Sequence, residues 1–227
     1  MEDTPMKKFG TCITFALVAL AFASFHPMHA YADTVTLTLE NVGPGNNSGG
    51  VYTYPYNFSV DGTKPYVSLM CFAYEQEIYV GETWTATVES VTSASPDDYK
   101  ELAYLYNVAA DPTSSATTVS AAQWAAWELF DPSLTNSPNP PGQEAVDAEL
   151  TLAASFIESA DPSYYSNIAL YIPVAGSQIP NTDGLPQSFI GDPPVPEPSG
   201  LVLLGSGLLL SALLLFRKQG TASSVRL

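Results

Sequence analysis

The sequence predicts an α+β fold, an antiparallel sheet or small β-sandwich with an inserted helical part. An N-terminal signal peptide and a C-terminal transmembrane helix flank it. Three observations carry this. Alternating apolar and polar residues fill the stretches around 34–91 and 167–174. The period lengthens to that of helices between them. Two strongly apolar runs lie at the ends of an otherwise acidic chain.

The first run is organised as an export signal. Lys7 and Lys8 precede apolar residues from Phe9 to Phe25, and Ala30-Tyr31-Ala32 offers small residues where signal peptidase reads them. Residues 1–32 are expected to be removed by that enzyme after delivery by the Sec machinery. Cleavage falls after Ala32, with Ala30 the near alternative.

Strands open the mature part, 33–187. Thr34 to Leu39 alternates threonine with valine and leucine. Asn41 to Gly50 reads as a loop, Val51 to Val60 as a strand, and Asp61-Gly62 as a turn. Tyr66 to Tyr74 and Glu77 to Val91 follow as strands, with Gly81-Glu82 a turn or bulge. Ser95-Pro96-Asp97-Asp98 then begins a helix whose apolar face includes Leu102, Leu105 and Tyr106. Further helices are expected at about 120–130 and 143–159. Each helical pattern ends near an Asp-Pro pair at 111, 131 or 161, because proline disfavours the helical state in the residue before it. Asn167 to Val174 returns to strand. The stretch 188–198 reads as a proline-rich linker.

Charge and composition exclude much. All 23 acidic residues except Glu2 and Asp3 lie between Asp33 and Glu197, against only Lys64 and Lys100. Such a surface repels phosphate backbones, so no nucleic acid is expected as a partner. Both histidines, His26 and His29, fall in the signal segment. The mature domain thus lacks Ser-His and Cys-His catalysis and histidine metal sites. It also lacks arginine, the usual phosphate and carboxylate clamp. No enzyme activity, metal or cofactor is expected. A carboxylate-dependent glycan hydrolase is the residual enzymatic alternative, though no pair of acids stands out.

At the far end, residues 199–216 are apolar apart from a few glycines and serines, and Arg217-Lys218 follow. The run is just long enough for a bilayer core of about 30 Å. The basic pair stops it on the cytoplasmic side, with 217–227 as a cytoplasmic tail. Before it stand Val195-Pro196-Glu197-Pro198-Ser199. This order of proline-rich motif, short glycine-containing apolar helix and basic pair resembles the PEP-CTERM sorting signal. The resemblance covers about 195–218. It implies processing by an exosortase, with Pro196, Glu197 and Pro198 as the recognition element. It also implies an exported protein anchored in the inner membrane with its domain outside, then placed on the cell surface or released after processing. The chain continues to Leu227, further than that signal usually runs.

Cys71 is the lone cysteine of the mature domain, in Leu69-Met70-Cys71-Phe72. Gln123 opens Gln123-Trp124-Ala125-Ala126-Trp127 on the second helix, sharing a face with Trp127. A cysteine on a strand followed by this helical pattern is similar to the bacterial thioester (TQXA) adhesin domains, over about 66–130. The resemblance implies that the thiol attacks the glutamine amide, expels ammonia and leaves a thioester able to bond to an amine. Ala122 and Ala73 stand where those domains usually carry threonine and aspartate.

Two further groups invite binding. Asp97, Asp98 and Glu101 gather hard oxygen ligands suited to calcium, but they also complement a helix dipole, the simpler reading. Tyr52, Tyr54 and Tyr56 alternate on one expected strand and so share a face that suits sugar rings. The function expected is a structural or adhesive envelope or matrix protein, associated with extracellular polysaccharide. A covalent thioester adhesin using Cys71 and Gln123 is the alternative.

Overall fold

The computed structural model describes residues 34–43, 47–48, 50–135, 137, 141–180, 185–194, 206–207 and 209. The chain divides into two units, residues 31–195 and a second made of 1–30 with 196–227. The first holds the elements that follow.

Eight strands and three helices are described in this unit. They are β1 (Thr34–Val42), β2 (Asn47–Ser48), β3 (Val51–Tyr52), β4 (Tyr56–Val60), β5 (Val67–Cys71), β6 (Thr83–Ser90), α1 (Asp97–Ala110), α2 (Ala116–Phe130), α3 (Gln143–Ile157), β7 (Ala169–Pro173) and β8 (Phe189–Gly191). Six strands close into a barrel in the order β1-β4-β5-β8-β7-β6, every pair antiparallel. The sheet is therefore a closed barrel, not the open sheet or small sandwich expected from sequence. Alternation fixes which face of a strand is buried but not whether the sheet closes. Closure rests on β1, which pairs with both β4 and β6, and on β8, which joins β5 to β7. Residues 189–191 were expected to be linker; three residues are too short to show a period. All three helices are inserted between β6 and β7, as the order of patterns suggested.

Side chains fill the barrel, as a small barrel requires. Val35, Leu37 and Leu39 of β1 point inward between outward threonines. Phe58 sits at the centre, its ring 5.6 Å from that of Trp84 and 4.8 Å from that of Phe189, both edge-on. Edge-on contact suits the ring quadrupoles. At Gly191 an added Cβ would meet the end of the Leu69 side chain, which would have to shift to admit it. Asp61 and Gly62 form the β4–β5 turn with φ of 50° and 71°. The Asp61 carboxylate also accepts from Thr36 N at 2.8 Å, pinning the turn to β1.

The helices follow their local chemistry. Asp97 and Asp98 lie in the first turn of α1, where carboxylates offset the helix dipole. The α2 helix begins earlier than its apolar pattern, because Ser115 caps it by accepting from Thr118 N at 3.1 Å. Asp111 and Asp131 are the C-caps of α1 and α2, as the Asp-Pro pairs predicted. The residue after each Asp-Pro pair matters too. Asp111, Asp131 and Asp161 each accept from the backbone N–H two residues on, at 2.7, 3.1 and 2.8 Å. The Thr113 and Ser163 side chains, and after them these backbone N–H groups, hold the exposed Asp111 and Asp161 carboxyls below the ordinary aspartate range.

Among the described residues no helix is long and apolar enough to cross a membrane. This corrects the transmembrane helix expected at 199–216 and the inner-membrane anchoring drawn from it. Apolar length was a necessary condition only. Apart from Ser206, Gly207 and Leu209, that segment lies outside the described residues.

Phe58→Ala should destabilise the domain by about 3–5 kcal/mol, since the emptied barrel centre cannot collapse. Thr36→Ala on the exposed face of β1 should stay within about 0.5 kcal/mol. Urea unfolding of the two variants checks the difference.

Candidate functional site

The site lies where α2 packs against the end of β5. Ala122, Ala125 and Ala126 are fully buried there, and such small side chains let a helix backbone approach closely. Helix α2 is buried over nearly its whole circumference from Val119 to Glu128. A polar side chain buried in that stretch must therefore find partners within the protein.

Gln123 finds two. Its Nε2 donates to the backbone carbonyl of Cys71 at 2.5 Å, and its Oε1 accepts from Tyr54 N at 3.1 Å. One amide thus ties α2 to the end of β5 and to the link between β3 and β4. The structure brings Cys71 and Gln123 together, both completely buried. Cys71 carries a free thiol that donates to the Ala73 carbonyl at 3.5 Å. Burial pushes this thiol up to about 12, and Trp127 and the Ala73 backbone beside the sulfur offset part of the rise. At neutral pH it is a thiol, not a thiolate.

Aromatic rings seal the pair. The Trp127 ring lies 5.2 Å from that of Trp124, and Tyr74 packs on both at 5.2 and 5.7 Å. Tyr74 belongs to the segment between β5 and β6, expected from sequence as strand but irregular from Phe72 to Glu82. Neither Tyr74 nor the Tyr54 N–H carried a sequence signal. Tyr54 is 69 residues from Gln123, and its contribution is backbone, which any residue supplies.

Other expected groups fare differently. Tyr52, Tyr54 and Tyr56 do not form one row, because the strand breaks between β3 and β4. Tyr52 is exposed, Tyr56 is buried beside Phe189, and Tyr54 meets Tyr106 edge-on. Asp97 is paired with Lys100 at 2.6 Å. Burial is the main cause that raises Glu101 above the ordinary glutamate range, with Asp98 and Asp97 adding to it. The signal-peptide residues Ala30 and Ala32, the motif Val195 to Ser199, and the pair Arg217-Lys218 lie outside the described residues.

Comparison with known proteins adds one likeness. The fold is similar to the N-terminal domain of the Streptococcus pyogenes pilus tip adhesin Cpa. That match has a TM-score of 0.38 and 12% identity, and covers 75% of this chain and 97% of that one. No family model matches the chain, and no curated protein does. A fold-level likeness does not assign a function, so the residues of this chain must carry it.

Gln123→Ala strands the Tyr54 N–H and the Cys71 carbonyl without partners, at about 1–3 kcal/mol each. Its urea midpoint should fall well below that of the parent protein. This variant also keeps its thiol, whose pKa is raised by folding. Its stability should hold below the unfolded thiol value of 9.0 and fall as pH rises from there toward about 12. Unfolding curves from pH 7 to 11 check the sign.

Proposed function

We propose that this is an exported structural or adhesive protein whose domain carries an internal thioester between Cys71 and Gln123. The observation that supports it is the hydrogen-bonded placement of the Gln123 amide against Cys71. In this reading the Cys71 sulfur attacks the Gln123 side-chain carbonyl carbon. The Tyr54 N–H, already on Oε1, stabilises the charge that develops on that oxygen. The carbon–nitrogen bond breaks, the thiol proton goes to the departing amide nitrogen, and ammonia leaves. The product is a sulfur–carbon bond from β5 to α2.

The step needs no turnover. A buried thiol without a histidine is a poor repetitive catalyst, but each molecule reacts once. For that reason the protein is proposed as a self-modifying binder rather than an enzyme. The thioester then stores an electrophile that an amine on a surface opens to form an amide. The burial of both residues means that Tyr74 and the tryptophans must part before an outside nucleophile reaches it. A second reading shares the observation: the amide serves only as a hydrogen-bonded tie between helices and barrel.

The route rests on sequence motifs. Sec export, signal peptidase at Ala32 and exosortase trimming at Val195 to Ser199 are proposed on those residues alone. Polar contacts to exosortase are expected to centre on Glu197.

Intact mass of the mature wild-type protein should show the loss of one ammonia, absent in Cys71→Ala and Gln123→Ala. Methylamine should restore a full-length adduct and free the thiol for alkylation. A wild-type mass with the amide intact and a thiol that labels fully on unfolding would leave only the tie. Replacing Pro196, Glu197 and Pro198 with alanine should abolish C-terminal trimming in cells that carry an exosortase, read by the mass of the accumulated protein.

A further inference from the structure

A cavity of about 770 Å³ opens beside the site, between β3 and the irregular segment after β5. Its volume lies in the range of small-molecule binding clefts. Tyr52 and Tyr79 line it and are 51% and 59% exposed, so two aromatic rings face solvent at one opening. Buried cores explain neither. The Tyr79 hydroxyl donates to Glu77 Oε2 at 2.7 Å, which fixes the ring without covering it. Glu75, Glu77 and Gln187 add planar oxygen acceptors to the lining. Gln187 is itself more than nine-tenths buried. Its Nε2 is spent on the Gln76 carbonyl, and its Oε1 is left with no hydrogen-bond partner among the described residues. A buried acceptor without a donor is costly, and a ligand hydroxyl would satisfy it.

We propose that this cleft binds a neutral glycan chain, with Tyr52 and Tyr79 as stacking faces and Glu75, Glu77 and Gln187 as acceptors for sugar hydroxyls. A pyranose ring presents an apolar face and a rim of hydroxyl donors, so a short chain matches alternating rings and acceptors along its length. Among the described residues no lysine or arginine lines the cleft, and its carboxylates repel uronates, sulfates and phosphates. A compact cation would place its donors at one point and leave the second tyrosine face unused. The binding is reversible and does not rest on the thioester: each can fail without the other.

The test titrates the intact mature protein with neutral hexose oligomers (β-1,4-, β-1,3- and α-1,4-linked glucans and a galactomannan), a uronate oligomer and a chitosan oligomer. Calorimetry and tryptophan fluorescence, to which Trp127 in the cavity lining contributes, read the binding. At least one neutral oligomer should bind saturably and wash out on dialysis, while the uronate should not bind. Tyr52→Ala and Tyr79→Ala should each weaken it by about tenfold, the loss of one ring contact. Because both side chains are exposed, the thermal midpoint should not change. Silence across the neutral panel overturns the proposal. So does binding that the double variant retains in full, or binding confined to chitosan and abolished by salt.

Discussion

One buried side chain, Gln123, joins the helices to the barrel. Gln123 stands in the most buried part of its helix, where a polar side chain is destabilising unless both of its functional atoms are paired. They are paired, to Cys71 on the barrel and to Tyr54 on the link between two strands. These contacts fix the height and rotation of α2. Leucine would pack as well but would not choose among neighbouring registers. Because the helix is lined with alanine, its position would otherwise be weakly specified: small side chains slide more easily than interlocked large ones. Around this contact the aromatic cluster of Tyr74, Trp124 and Trp127 completes the seam.

The barrel imposes the second constraint. Its last strand, β8, comes after the helical insertion, yet it pairs with β5 and β7 and supplies Phe189 to the central ring cluster. The helices must therefore dock in a way that returns the chain to the open side of the sheet. The α2–α3 pair is held by more than apolar burial. The Glu128 carboxylate accepts from Thr135 Oγ1 at 2.7 Å and from Gln143 Nε2 at 2.8 Å, linking the end of one helix to the start of the next. Pairing of such distant segments favours cooperative folding over piecewise assembly and slows it.

Much of this was legible in the sequence, for identifiable reasons. The threonine-valine-leucine alternation of β1, the Asp61-Gly62 turn and the Asp-Pro helix ends are local signals, and the structure keeps each of them. Closure of the sheet was not legible, because it depends on a three-residue strand that pairs at long range, Ile190 opposite Met70 and Phe189 opposite Cys71. The expected strand through Tyr52, Tyr54 and Tyr56 failed for a similar reason. Alternation there was real, but the chain leaves the sheet between Tyr52 and Tyr56. The association of Cys71 with Gln123 rested on residue types and a spacing that resembled a known pattern, and the two residues do meet. Their third partner, a backbone N–H, was invisible because every residue but proline carries one.

The composition limits what chemistry this geometry supports. Among the described residues the domain offers no histidine and no arginine, and its only thiol sits where burial keeps it protonated. Repeated proton transfer is poorly served by such a set. A single reaction between neighbours held in contact is better served, because proximity replaces much of what a catalytic base would supply. The cavity beside the buried pair is lined by aromatic and aliphatic side chains together with carboxylate and amide oxygens. The buried pair and the cavity meet at Trp127, which lies beside the Cys71 sulfur and also lines the cavity.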